Sequence, residues 1–264
     1  MQEVYKLWAD GKTPLFKEEY GQEEPTVTAH LIEGKENAPC VIVLPGGGYG
    51  GLADDHEGRQ ICEILNENGY SAFMLRYRLN PYHYPCHLLD AKRAVRFVRA
   101  NAERFSINPN KIGIMGFSAG GHLACTAGLL FDDGKTDGDE IDRVSSRPDS
   151  VCSCYAVASL DREITHRGTR ENLLGDYEND ELAKILTCEN IVPDNAPPFF
   201  IWHTAEDNSV NVRCSLRLAT ALAEKKQLFE LHVFPYGRHG LGLAKETPLA
   251  NQWFDLYIKW LDIQ

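Results

Sequence analysis

Apolar residues along this chain fall into two alternating patterns. Short continuous apolar runs recur at Cys40 to Leu44 (CVIVL), Ser71 to Tyr77 (SAFMLRY), Ile112 to Met115, Val151 to Ala158, Phe199 to Thr204 (FFIWHT) and Phe229 to Phe234 (FELHVF). Runs of this length, apolar at successive positions, are those of strands covered on both faces. Between them lie segments with helical spacing. Glu57 to Asn68 places Ile61, Ile64 and Leu65 on one face and stops at Gly69, and Leu88 to Phe105 repeats Leu88, Ala91, Val95, Val98 and Ala102. Val212 to Lys225 predicts a further helix, and Pro248 to Asp262 a closing one that carries Trp253, Leu256, Tyr257 and Trp260. Arg93, Arg96 and Arg99 fall outside the apolar stripe of their helix and read as a solvated face. Val27 to Ile32 predicts an edge strand behind a polar N-terminal arm.

Strands alternating with helices throughout predict an α/β class: a mostly parallel, doubly wound sheet with helices on both faces. Asp132 to Asp149, polar and carrying Gly134 and Gly138, reads as a surface loop. The stretch 159–198 holds one weak helix, around Glu181 to Leu186, and a connection of that length predicts a cap or lid on a single domain spanning 1–264.

In such sheets a site forms outside the carboxyl ends of the strands. The segment KIGIMGFSAGGHLA, Lys111 to Ala124, runs from a short strand through Gly116-Phe117-Ser118-Ala119-Gly120 into a helix. A G-x-S-x-G turn of this kind presents its serine in a strained backbone conformation, at a helix N-terminus whose dipole and free N–H groups face a developing oxyanion. Ser118 is therefore the candidate nucleophile. A serine hydroxyl requires a base, normally a histidine oriented by a carboxylate. Of nine histidines, His203 and His232 lie inside strand patterns and His122 one helical turn beyond Ser118, where it points away from the hydroxyl. His30, His56 and His87 sit in the edge strand or near helix starts. His239 directly follows the last strand in a glycine-flanked loop, Gly237-Arg238-His239-Gly240, and is the preferred base. For the acid, Asp207 is preferred because it lies in a turn, Glu206 to Val210, whose backbone N–H groups can hold a short carboxylate; Glu206 and Asp161 are the alternatives. The residue after the nucleophile, Ala119, and the glycine run Gly47-Gly48 after CVIVL supply candidate oxyanion donors. That run has neither a G-x-G-x-x-G register nor a G-K-[ST] continuation, so a nucleotide site is excluded.

Composition narrows the partners. A chain of 264 residues with 43% hydrophobic content and a formal charge of −11, and with no basic stripe, argues against nucleic acid and anionic membrane surfaces. No apolar run approaches the roughly 18 residues of a spanning helix, and no basic-then-apolar leader opens the chain, so a cytoplasmic location is expected. Eight cysteines fall mostly within apolar patterns, with Cys86 in a loop, and show no C-x-x-C or Cys/His ligand spacing. Reduced, buried thiols are expected, and no zinc site.

Taken together, GFSAGGHLA, LPGGGYGG, WHTAEDNSV and FELHVFPYGRHGLGLA, in this order from about Val41 to Trp260, resemble the α/β-hydrolase superfamily. Within it they resemble the branch of acetyl xylan esterase-like and feruloyl-esterase-like carbohydrate esterases. The resemblance implies an α/β-hydrolase fold and an acyl-enzyme mechanism on an ester. It implies Ser118, Asp207 and His239 as triad, with Gly47, Gly48 and Ala119 around the oxyanion, and no metal or organic cofactor. It further implies a small ester substrate, a short acyl group such as acetyl on a sugar, against which Tyr49, Tyr82 and Tyr84 are candidates to stack. Two departures stand out: Pro45 occupies the place of the histidine in HGGG-type loops, which alters how the loop is braced, and Asn211 replaces a common proline after the acid turn. Two other readings share the fold: a serine peptidase of the prolyl-peptidase type, and a hydrolase-fold binding protein with a dead site.

Overall fold

The strands are β1 (Glu3–Lys6), β2 (Thr26–His30), β3 (Ala38–Leu44), β4 (Ser71–Arg76), β5 (Ile107–Phe117), β6 (Ser150–Cys154), β7 (Phe199–Thr204) and β8 (Phe229–Phe234). In the computed structural model, which describes residues 3–264, they form one sheet in the order β1-β2-β4-β3-β5-β6-β7-β8. β1 pairs antiparallel with β2, and β2 antiparallel with β4; every other pairing is parallel. The helices are α1 (Gln60–Glu67), α2 (Cys86–Ala100), α3 (Ser118–Leu129), α4 (Arg167–Leu174), α5 (Asp180–Leu186), α6 (Arg213–Glu224) and α7 (Trp253–Leu261).

Alternation along each strand divides the interior into two layers. Cys40, Ile42 and Leu44 of β3, Ile112 and Ile114 of β5, and Phe199 and Ile201 of β7 face a core shared with α2, α3 and α6. Val41 and Val43, Met115 and Phe117, and Phe200 and Trp202 face the opposite core with α1 and α7. Both faces of the central strands are therefore buried, which is why their sequences read as continuous apolar runs. All residues of α3 are buried, as a helix apolar on every side must be. All eight cysteines are free and buried, Cys86 included. Among the described residues no helix is long and apolar enough to cross a membrane.

Three expectations are corrected. The strand near Val27 is not at the edge, because β1 lies outside it; β1 has too few apolar positions to register, and its Val4 is exposed. The strand expected over Val151 to Ala158 stops at Cys154, where β6 ends and Tyr155 turns with φ +35°. Arg93 and Arg96 are buried rather than solvated. Arg93 forms ion pairs with Asp139 and Asp142, Arg96 pairs with Asp132, and Arg99 pairs with Asp149, so the helix holds the polar 132–149 segment against the body.

Candidate active site

The carboxyl ends of β3, β5, β7 and β8 bring together the residues singled out in the sequence. Ser118 turns out of β5 with φ +53°, a left-handed conformation that costs a non-glycine residue energy and persists only where its surroundings impose it. The flanking glycines supply that constraint. A Cβ on Gly116 would lie 2.0 Å from the Gly120 carbonyl oxygen, and one on Gly120 would lie 2.3 Å from that of Leu44. Only bare backbone lets β5, α3 and the start of the β3 loop approach so closely.

His239 Nε2 lies 2.8 Å from Ser118 Oγ, and His239 Nδ1 lies 2.6 Å from Asp207 Oδ2. The Asp207 side chain is fully buried, and Ser209 and Val210 donate their N–H groups to its Oδ1, each at 2.9 Å. His203 adds a further contact, with Nε2 3.3 Å from Asp207 Oδ2. Because that nitrogen also meets the Val210 carbonyl at 3.0 Å, which only accepts, it carries the proton and donates. Burial by itself would raise the Asp207 carboxyl; hydrogen bonds from His203, His239 and the Val210 N–H outweigh it and hold the group well below the ordinary carboxylate range. Glu206 and Asp161 are directed elsewhere. Glu206 accepts from the Gly237 N–H, and Asp161 pairs with Arg217.

The glycine loop is fixed by its carbonyls. Tyr77 donates to Pro45 O at 2.6 Å, Ala53 N–H to Gly46 O at 2.9 Å, Gly50 and Gly51 N–H to Gly47 O at 3.0 Å, and Asn172 to Gly48 O at 2.8 Å. Gly47 and Gly48 have φ +136° and +64°, and among the described residues their N–H groups donate to no protein acceptor. Ala119, second in α3, carries one of the N–H groups that a helix start leaves unpaired.

The tyrosines are placed differently from expectation. Tyr49 is wholly buried, its hydroxyl 2.8 Å from His122 Nδ1 and its ring against His87. Tyr82 is buried between Phe16 and Tyr20, with its hydroxyl on the Lys17 backbone. Neither offers a face to a ligand. Tyr84 is half-buried against the core, with its N–H on Leu173 O.

Several groups around the triad carry only weak sequence signals. His203 reads as a strand residue, although it occupies the carboxyl end of β7. Glu57 shares a helical face with Ile61 and Leu65, an acid in an apolar stripe, and that mismatch was the available signal. Asn172 belongs to α4, whose polar sequence RGTRENLL hides it. Among the described residues no group of three or more His, Cys, Asp or Glu side chains could hold a metal ion.

The sheet order and the strand–serine–helix turn at its carboxyl edge define an α/β hydrolase. The BD-FAE family model matches residues 31–222, and the chain belongs to that family. Its fold is similar to that of the acetyl ester-xyloside bifunctional hydrolase from Caldicellulosiruptor lactoaceticus, with a TM-score of 0.95 and 44% identity over 98% of this chain and 95% of that one. The acetylxylan esterase of Xylanibacter ruminicola is 31% identical over 97% of this chain and 54% of its own length. Endo-1,4-beta-xylanase B of Butyrivibrio fibrisolvens is 40% identical over 84% of this chain and 35% of its own length. The chain thus spans between about a third and about half of these two relatives.

Proposed function

We propose that this chain is a serine carboxylic-ester hydrolase that removes short acyl groups, acetyl foremost, from a carbohydrate. The observation that carries the reading is the continuous hydrogen-bonded chain Ser118–His239–Asp207, with links of 2.8 and 2.6 Å. Asp207 accepts from Nδ1 and so leaves Nε2 unprotonated toward Ser118. Ser118 Oγ attacks the ester carbonyl while His239 Nε2 takes its proton, and the oxyanion forms against the N–H groups of Gly47, Gly48 and Ala119. The tetrahedral intermediate collapses to the acyl-enzyme as His239 protonates the leaving alcohol oxygen. Water, deprotonated by the same imidazole, then attacks the acyl carbon and releases the acid and free Ser118.

Ester rather than peptide substrates are supported by the similar proteins, whose names join acetyl esters with xylosides or xylan. Two contacts support the reading of segment 159–198 as a cap beside the site: Asn172 of α4 reaches the Gly48 carbonyl, and Thr169 lies beside Gly48. Eight free, buried thiols support a reducing, cytoplasmic setting.

The test is hydrolysis of p-nitrophenyl acetate, butyrate and octanoate, with acetate release from acetylated xylo-oligosaccharides, by the wild type and Ser118→Ala. Acetate is expected to be the best acyl group, and Ser118→Ala to lose about 10⁶ in kcat. Equal activity of the two proteins would refute the mechanism, and activity confined to octanoate would refute the short-acyl, carbohydrate reading.

A further inference from the structure

Two loops must hold their geometry together for the chemistry above: the glycine loop that carries the oxyanion donors and the β8 loop that carries His239. Glu57 lies between them in the helical turn before α1, 3% exposed. Its Oε2 accepts from the Gly46 N–H at 2.9 Å, and its Oε1 accepts from the Tyr155 hydroxyl at 2.7 Å. The Tyr155 oxygen in turn accepts from the Gly242 N–H at 2.9 Å, three residues beyond His239, and its ring packs edge-on against the His239 imidazole with centroids 5.0 Å apart. The Gly242 carbonyl takes the Trp253 indole N–H at 3.1 Å, which fixes the far end of the loop.

The polarity of this chain is set throughout. The Gly242 N–H can only donate, so Tyr155 accepts from it and spends its own proton on Glu57. The Gly46 N–H can also only donate. Glu57 therefore faces donors at both oxygens, a demand that a carboxylate meets and an amide does not. The contacts are close: a Cβ on Gly46 would lie 2.5 Å from Glu57 Oε2 and 3.1 Å from Ser118 Cβ, and one on Gly242 would lie 2.5 Å from the His56 carbonyl oxygen. Tyr155 itself has φ +35°, a strained conformation of the kind retained where surroundings impose it.

We infer that Glu57 is a positioning residue that, through Gly46 and Tyr155, locks the oxyanion loop and the histidine loop in one register. It braces, at Gly46, a loop in which Pro45 occupies the place of the histidine of HGGG-type loops. The inference rests on the esterase reading above. Misplacing the donors leaves the ground-state complex largely intact and weakens the transition state.

The test compares wild type, Ser118→Ala, Glu57→Gln and Tyr155→Phe on p-nitrophenyl acetate. Each protein is also titrated with phenylboronic acid, whose tetrahedral adduct on the serine mimics the intermediate, and melted thermally. Glu57→Gln is expected to lower kcat about 10²-fold with KM within about threefold, and boronate affinity should fall in step. Tyr155→Phe, which keeps the ring and deletes only the hydroxyl, is expected to lower kcat about tenfold with KM unchanged; it decides the matter should Glu57→Gln fail to fold. A folded Glu57→Gln with wild-type kcat and boronate affinity overturns the inference, as does an unchanged kcat in Tyr155→Phe. A wild type no more active than Ser118→Ala overturns the esterase reading itself, and the inference with it.

Discussion

The Asp207 side chain receives two imidazoles and two backbone N–H groups while excluded from water. Its carboxyl is consequently held well below the ordinary value by hydrogen bonds that outweigh the burial penalty. A depressed carboxyl contributes stability at pH values above its unfolded value of about 3.9, and that contribution is lost as pH falls through the folded value. Asp207 therefore stays ionised through the working range and takes up no proton there. The acid side of the kcat/KM profile should fall no more steeply than first order in proton concentration; a second-order fall would show that the carboxylate titrates in that range. Asp207→Asn keeps the shape and leaves the wrong tautomer at His239, so kcat should fall by about 10⁴ with the fold intact; a loss under tenfold would assign the role to another acid. The three residues brought together here were legible because each follows a strand and carries distinctive local chemistry. The burial of Tyr49 and Tyr82 was not, because it is imposed by His122, Phe16 and Lys17, which no local pattern links to them.

At the level of elements, the nucleophile turn rests on backbone contact between β3, β5 and α3. Gly120 packs against the Leu44 and Pro45 carbonyls, with a notional Cβ at 2.3 and 2.4 Å. Neither neighbour is a flexible side chain, so Gly120→Ala must push the helix start off the sheet. A loss of about 3 kcal/mol in unfolding free energy, the upper range for overpacking, is expected from urea titration, along with lost activity in the folded fraction. Wild-type stability in this variant would show that the elbow is looser than its contacts imply. β7 and β8 match the sequence pattern at both ends, bounded by Pro198 and by Ala205 and Pro235, whereas CVIVL starts two residues inside β3 and the run Val151 to Ala158 outlasts β6, which ends at Cys154. α4 was not legible, since its cap is His166 accepting from the Thr169 N–H and its inward face includes Arg170, whose guanidinium is spent on the Leu160 and Tyr177 carbonyls and on Asp180. A single pair of leucines, Leu173 and Leu174, beside the buried polar Thr169 and Arg170 is too little apolar period to detect.

Across the whole molecule, polar connections join parts that the sheet leaves apart. Arg78, in the loop that follows β4, and Asp90, in α2, are both wholly buried with nitrogen and oxygen 2.6 Å apart. The same guanidinium reaches Pro14 O in the N-terminal arm and Cys86 O at the head of α2, and Asp90 also takes the Arg78 N–H. The arm, which lacks an apolar pattern, is held to the loop after β4 by this pair and by Gln22 donating to Leu79 and Asn80. Desolvating two charges costs nearly as much as their attraction returns, so the intact pair adds little net stability, whereas stranding one charge costs about 3 to 5 kcal/mol. Asp90→Leu leaves Arg78 buried without its partner and should lose that amount in a urea titration. Arg78→Met with Asp90→Leu removes the stranded charge and should recover part of the loss, making the double variant the more stable of the two even though it has lost more contacts. If the double variant were instead the weaker by the sum of both single losses, the two residues would act independently, and the arm would be held by its separate hydrogen bonds to backbone rather than through the ion pair.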